Sequence, residues 1–303
     1  GDNLGAVPAQ VAGASLLAGS FLSLRTRRKQ ASDGDIRESP MPAIAEAEPN
    51  ADAIERQWQS MQADYERRHG CKLICIVHEG NEGLDEEQAT DIVKTVMSAK
   101  GKPIDVVLHT FGGFLMASER VAEALAASRR TTAFVPYYAM SGGTEIALAT
   151  ERIMMGRHAH LGPTDVQFGM FAARDFEELE QEKGVKDLTD TSALLAIRAR
   201  RVKRDIEKVC GRINRSHKKR IGWGRRSCDL AAKLTDGAMD HSHRITLSEA
   251  RALAINVVPK MPDDVYALVD RRREQLKLLR KIAPSIRILG AAPHGHSAPA
   301  AIP

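Results

Sequence analysis

The chain has 303 residues, of which 43% are hydrophobic and 27% are charged, and its formal net charge is +5 at pH 7. This composition excludes a wholly disordered or fibrous chain and suffices for a folded domain of enzyme size. The four cysteines form no CxxC pair, so we expect free thiols in a reducing compartment and no metal site.

The N-terminal region combines an uncharged stretch with a basic flank. Residues 3–24 carry no charge, and four Lys or Arg residues follow within 25–29. This order is typical of a membrane segment with a basic cytoplasmic side, but the many Ala, Gly and Ser residues make it weakly apolar. We predict a flexible extension over 1–50, with a weak membrane segment at 3–24 as the alternative. The predicted location is cytoplasmic, with membrane association left open.

Alternating helical and strand patterns predict the folded part over 51–280, and 281–303 are predicted to be a disordered tail. Helical spacing covers 51–70, 85–101, 114–128, 175–184 and about 191–214; short apolar strands cover 72–78, 103–110 and 131–137, with two brief extended pieces within 151–165. Strands that alternate with helices in this way predict an α/β fold with a parallel sheet and right-handed crossovers.

A basic stretch interrupts the otherwise acidic chain. Residues 200–226 contain twelve Lys or Arg against two acids, a local charge of +10 that leaves about −5 for the remainder. Such a stretch can contact an anionic membrane surface or nucleic acid. We favour a solvated helix and loop, keep the anionic membrane surface as an alternative, and do not expect nucleic acid, because Trp223 alone offers aromatic stacking.

The stretch AMSGGTEIALA places Ser141 between a strand and a helix. Chemistry in parallel sheets collects beyond the carboxyl ends of the strands, where both glycine pairs, 112–113 and 142–143, also fall. A serine there exposes its hydroxyl near backbone amides that can stabilise an oxyanion. The alternative is that Ser141 only caps the helix, since serine is a favoured N-cap residue.

Three motifs along the chain occur in the same order as the motifs of a known family. LHTFGG (108–113), FVPYYAMSGGTEIALA (134–149) and HLGPTDVQ (160–167) resemble successive motifs of the serine dehydrogenase proteinase family, a Clp-fold group related to signal peptide peptidase A. The similarity runs from about Lys72 to Asp270. It implies a ClpP/crotonase-like superhelix with a mostly parallel sheet and flanking helices, homo-oligomeric assembly, and hydrolysis of polypeptide substrates without a cofactor.

The resemblance also assigns residues. Ser141 matches the family's proposed nucleophile, Gly112 and Gly113 match its oxyanion-hole glycines, and Gly142 matches the residue after the nucleophile, whose amide would complete the oxyanion hole. Phe111 stands where the family usually has proline, which leaves the turn before the glycines less rigid.

The general base is open between two candidates. Signal peptide peptidase A uses a lysine downstream of its serine, and Lys183 lies 42 residues after Ser141. His241 falls where the family often carries a Thr-His-Asp-Tyr stretch, although its neighbours differ here. We rank Lys183 slightly ahead of His241. A lysine can serve only if burial lowers its pKa.

Two further residues are candidates for contacting substrate. His109 matches a family histidine before the glycine pair, and Asp165 lies in the LGPTD turn, where it could bind a substrate amide or orient a base. Both could equally be structural.

These observations favour a serine peptidase. One alternative is a crotonase-like acyl-CoA enzyme, for which Glu145, one turn into the helix, is the nearby acid. The other is a catalytically inert scaffold that is oligomeric or associated with a membrane. Covalent reactivity of Ser141 separates the peptidase from both.

Overall fold

The computed structural model describes residues 50–80, 82–168, 171–218, 230 and 233–282, without the side chains of 205–218. The predicted extension and membrane segment within 1–49, the basic residues 219–226 and the predicted tail from 283 onward lie outside the described residues. Among the helices that are described, none has both the length and the apolarity needed to cross a membrane.

Helices and strands alternate along the chain, as the sequence predicts. The helices are α1 (Ala51–His69), α2 (Glu86–Ser98), α3 (Leu115–Ala127), α4 (Gly142–Leu148), α5 (Ala173–Lys183), α6 (Asp190–Lys218), α7 (Leu247–Ala252) and α8 (Asp263–Ile282), with a 3-10 turn at Val185–Asp187. The strands are β1 (Lys72–Val77), β2 (Ile104–His109), β3 (Thr131–Val135), β4 (Tyr138–Ala139), β5 (Arg152–Met155), β6 (His160–Leu161), β7 (Gln167–Phe168), β8 (Phe171–Ala172), β9 (Ile245–Thr246) and β10 (Val257–Val258).

The first helices begin and end at residues suited to those positions. The Asn50 side chain accepts a hydrogen bond from the Ala53 amide at 2.7 Å, and the Asp85 side chain accepts one from the Gln88 amide at 2.8 Å. Gly70 ends α1 with a φ of 63°, a left-handed conformation that glycine adopts without strain.

The central sheet confirms the predicted parallel arrangement. Within the described residues its five strands run in the order β1-β2-β3-β5-β10, and every neighbouring pair is parallel. A second sheet has the order β4-β6-β9, and β7 and β8 form an antiparallel pair. The sequence analysis missed β4, which lies between β3 and Ser141.

Both faces of the central sheet are buried, because helices cover each side. Ile74, Val106 and Leu108 pack in one cluster with residues of α2, α3, α4 and α7. Leu73 and Val107, whose side chains alternate with those, pack with residues of α1 and α8 in a second cluster. This burial fixes the strand register and thereby the edge at which the strands end.

At that edge the segments after β2 and β4 come together. The Met140 amide donates to the Thr110 carbonyl at 2.9 Å, and the Thr110 amide donates to the Tyr138 carbonyl at 3.3 Å. The glycine pair after β2 is therefore held beside Ser141.

Candidate active site

Ser141 occupies a turn that non-glycine residues rarely adopt. Its φ is 49° and its ψ is −123°, on the positive-φ side that crowds a side chain. Hydrogen bonds on both sides hold this conformation: the Gly143 amide donates to the Met140 carbonyl and the Thr144 amide to the Ser141 carbonyl, each at 2.8 Å. The Ser141 side chain makes no capping bond to α4, so its hydroxyl does not serve as a helix cap.

Gly112 and Gly113 approach their neighbours too closely for a side chain. A Cβ on Gly112, whose φ is 115°, would lie 2.9 Å from the Ser141 Cβ, and one on Gly113 would collide with the backbone of Leu84. The Leu84 amide donates to the Gly112 carbonyl at 2.8 Å, and the Phe114 amide donates to the Leu84 carbonyl at 2.9 Å. Neither of these two hydrogen bonds uses the amide of Gly113.

Gly142, the residue after Ser141, also lies too close to its neighbours for a side chain. A Cβ there would collide with the Ser118 Oγ, and its position lies 3.8 Å from the Gly113 nitrogen. Among the residues that the structure describes, neither the Gly113 amide nor the Gly142 amide donates to a protein acceptor. Two backbone donors are thus held close to the Ser141 side chain.

A buried network supports the glycine pair from behind. The Thr110 Oγ1 accepts from the Gly112 amide at 3.0 Å and lies 2.8 Å from the His78 Nδ1. The His78 Nε2 lies 3.1 Å from the Gln88 Oε1. Burial lowers the pKa of His78, so its ring is neutral at pH 7. The network fixes the backbone of the glycine turn without placing a charge beneath it.

Asp165 and His241 meet across 76 residues of sequence. The His241 Nδ1 lies 2.8 Å from the Asp165 Oδ1. The Asp165 side chain is 2% exposed, whereas that of His241 is 35% exposed. The Gln167 side-chain amide donates to the other oxygen of Asp165. A buried carboxylate that holds one ring nitrogen leaves the other available for chemistry.

An open cleft of about 880 Å³ is lined by His241 and Gln167, whereas Ser141 and the three glycines beside it are not among its lining residues. Met140, the residue before Ser141, lies in its wall together with His241, and Ser141 itself is half-buried. The residues in the wall are Phe111, Tyr138, Met140, His160, Gln167, Ala172, Asp175, Gly237, Met239, Asp240, His241, Ser242 and Arg244.

A family model described as ClpP-like SDH-type serine proteinase matches residues 81–282. The chain belongs to this family. The family and the fold class that the sequence motifs implied are confirmed.

Similar chains include two archaeal proteins, both from Methanocaldococcus jannaschii. The uncharacterized protein MJ0137 is 35% identical over 193 residues, 63% of this chain and 66% of that protein. The uncharacterized protein MJ1495 is 32% identical over 219 residues, 68% of this chain and 73% of that protein. The chain therefore spans about two thirds of the length of these curated relatives.

Solved structures with a similar chain trace include two proteases. ClpP1 from Listeria monocytogenes has a TM-score of 0.41 at 14% identity, over 65% of this chain and 96% of that one. The 1510-N membrane-bound stomatin-specific protease has a TM-score of 0.42 at 14% identity, over 66% and 82%.

The two candidate bases of this SDH-type chain lie in different surroundings. Lys183 is the last residue of α5, its side chain is exposed, and it is absent from the wall of the cleft. His241 lies in that wall and is held by a buried acid. The structure thus brings His241 and Asp165 together and leaves Lys183 apart from them.

His109 lies behind the wall of the cleft. It is 1% exposed, and its ring packs 4.2 Å from the ring of Tyr138 and 5.5 Å from that of Tyr137, between centroids. Burial, together with the nearby Arg273, lowers the pKa of His109 to about 4. Its neutral ring therefore supports Tyr138 from inside, and Tyr138 faces the cleft.

Glu145 is turned toward α3. Burial raises its pKa to about 8, with Glu119 and Glu123 of α3 adding to the rise. Like Ser141, it is not among the residues that line the cleft.

Proposed function

We propose that this member of the SDH-type family hydrolyses peptide bonds, with Ser141 as the nucleophile and His241 as the general base. The observation that carries the proposal is the hydrogen bond between His241 and the buried Asp165, at the cleft that also contains Met140. A nucleophile, a base and a carboxylate that orients the base are the parts that serine acyl transfer requires.

In the proposed reaction, the His241 Nε2 accepts the Ser141 proton while Ser141 attacks the peptide carbonyl. Asp165 accepts the Nδ1–H bond and stabilises the imidazolium that forms. The amides of Gly113 and Gly142 donate to the oxyanion, and Gly112 provides the room beside Ser141. The protonated His241 then gives its proton to the leaving amine, and water releases the acyl group by the reverse path. No metal or organic cofactor takes part.

His241 replaces Lys183 as the preferred base in this proposal. A lysine becomes a base at neutral pH when burial removes its ammonium group from water. The exposed side chain of Lys183 lacks that burial. We therefore expect Lys183→Gln to keep full activity.

This proposal gives supporting roles to two other predicted site residues and leaves the predicted partners untested. Asp165 acts on His241 rather than on substrate, and His109 acts through Tyr138. Homo-oligomerisation and contact between 200–226 and an anionic membrane surface stay predictions, and nucleic acid is not an expected partner.

The proposal is tested by covalent labelling. Folded protein is treated with a fluorophosphonate probe, and the adduct is located by peptide mass spectrometry, with Ser141→Ala and heat-denatured protein as controls. The proposal predicts an adduct on Ser141 that both controls lack. Folded protein without an adduct on Ser141 would favour the scaffold or the acyl-CoA enzyme instead.

A further inference from the structure

A row of stacked rings forms one wall of the cleft. The Phe111 ring lies 4.6 Å from the Tyr138 ring at 31°, and the Tyr138 ring lies 5.8 Å from the His160 ring at 24°. His109 packs against Tyr138 from the interior at 4.2 Å. Phe111 is therefore the outer end of a stack of rings that is supported from behind.

The outermost ring of this row is unusually exposed for its type. Phe111 is 55% exposed although it lines a concave surface. A large apolar side chain that faces water in a cleft is typical of a surface that a ligand covers. Phe111 also directly precedes Gly112, so the ring lies one residue from the glycine turn beside Ser141.

The backbone under the row is fixed. Tyr138 pairs with His160 between β4 and β6, and the Thr110 amide donates to the Tyr138 carbonyl at 3.3 Å. Burial, followed by the nearby Arg244, lowers the pKa of His160, so its ring is uncharged at pH 7. The stack is therefore uncharged and loses little freedom when a ligand binds.

The wall of the cleft also carries charged side chains of both signs. Asp175 accepts from the Ala172 amide at 2.7 Å, and Asp240 accepts from the Ser242 amide at 2.8 Å, so both acids are engaged locally. Arg244 in the same wall offsets part of their charge. Apolar contact with Phe111 is a feature of the cleft that can distinguish one substrate side chain from another.

We infer that Phe111 is a specificity-determining residue that selects peptides with an aromatic or large apolar side chain close to the cleaved bond. This inference rests on the proposed peptidase function. The selected side chain stacks on Phe111 while the peptide backbone lies along the glycine turn.

The experiment uses short internally quenched peptides that differ at one central position, which is Phe, Leu, Ala or Asp in a Gly/Ser/Ala background. Cleavage rates are measured for the wild type, Phe111→Ala, Phe111→Leu and Phe114→Ala, and mass spectrometry locates the cleaved bond. Phe114 is the matched control because it is 60% exposed, lies three residues further on and is absent from the wall of the cleft.

The wild type should cleave the Phe and Leu peptides about tenfold faster than the Ala and Asp peptides, at a constant distance from the variable residue. Phe111→Ala should reduce that preference to about twofold, Phe111→Leu should keep part of it, and Phe114→Ala should keep it all. Because Phe111 is exposed, its truncation leaves the core packing intact.

The inference is overturned if Phe111→Ala keeps the wild-type preference, or if the wild type has none. Fluorophosphonate labelling of Ser141 separates this failure from failure of the proposed function. Labelled protein without a side-chain preference, or without cleavage of any peptide, refutes the inference alone. Protein that neither labels nor cleaves refutes both.

Discussion

The two halves of the candidate site are built differently. On the nucleophile side, Ser141 and the glycines are positioned by backbone, and added Cβ atoms would collide with Leu84 and Ser118. On the base side, a side-chain hydrogen bond joins Asp165 and His241 across 76 residues of sequence, and Gln167 holds the other oxygen of Asp165. We expect activity to be most sensitive to added atoms in the first half, and to changes in charge or hydrogen bonding in the second half. The predictions below test this difference, from the largest effect on activity to the smallest.

Among the substitutions that leave Ser141 and His241 in place, the largest loss should follow from Asp165→Asn, a change that keeps the shape of the side chain. The asparagine amide cannot stabilise an imidazolium and favours the wrong tautomer, so peptide cleavage should fall by roughly 10³- to 10⁴-fold. Steady-state kinetics on a quenched peptide measures the loss, and thermal unfolding shows whether the fold is kept.

The matched control for Asp165→Asn is Glu249→Gln. Glu249 also holds a histidine, His243, at 2.6 Å, but both side chains of that pair are at least 36% exposed. Such a surface pair contributes little, so activity should stay within about twofold of wild type. An equal loss in the two variants would show that the buried pair has no special role.

Gly113→Ala should be the next most damaging change. Its Cβ would collide with the Leu84 backbone, which displaces the Gly113 amide. Loss of one oxyanion donor typically lowers kcat by about 10²- to 10³-fold, and here the melting temperature should fall as well.

Gly184→Ala is the control for Gly113→Ala. Gly184 has a positive φ, 78°, unlike Gly113, and no atom lies within 4 Å of an added Cβ. This variant should lose about 1–3 kcal/mol of stability from backbone strain and keep its activity. A wild-type kcat in Gly113→Ala would contradict the claim that the backbone beside Ser141 is rigid.

A smaller effect is expected from His78→Ala, which removes the support behind the glycine turn. Thr110 and Gln88 would lose their buried partner, and kcat should fall about tenfold with little change in KM because the Gly113 amide is displaced slightly. His78→Asn, which can still reach Thr110, should recover part of kcat. A purely structural role would lower the melting temperature of both variants without changing kcat of the folded fraction.

The smallest effect on activity, but a clear one on stability, is expected for Glu145→Gln. The pKa of Glu145 is raised to about 8 in the folded protein, so folding takes up a proton when the pH is above the ordinary value of 4.5. Wild-type stability should therefore fall as the pH rises from about 5 to about 8, and the glutamine variant should lack this loss. Melting temperatures of the two proteins across this range measure the difference. Parallel curves would show that Glu145 titrates normally.

Much of the fold follows from local patterns in the sequence. The strands before Gly112 and Ser141 and the helices after them obey hydrophobic periodicity, and glycines mark the places where backbones meet. The short strands β4, β6 and β9 were harder to predict, because two residues carry no period.

The general base could not be identified from the sequence either, because the contact that distinguishes the two candidates forms only in the folded protein. Nothing near His241 in the chain shows that Asp165 will lie beside it, since the pair is created by the tertiary fold. Lys183 ranked first on its distance along the chain from Ser141, a measure that contains no information about burial. Gln167, the second partner of Asp165, is the last residue of the HLGPTDVQ motif, but nothing in that motif indicates that its side chain holds Asp165.

The most direct test of the account is the rate of fluorophosphonate labelling at Ser141 in His241→Gln, compared with the wild type and with His243→Gln. If His241 activates Ser141, its replacement should slow labelling by about 10²-fold or more, while His243→Gln labels at the wild-type rate. Equal rates in all three proteins would contradict the account, because Ser141 would then be activated by some other group.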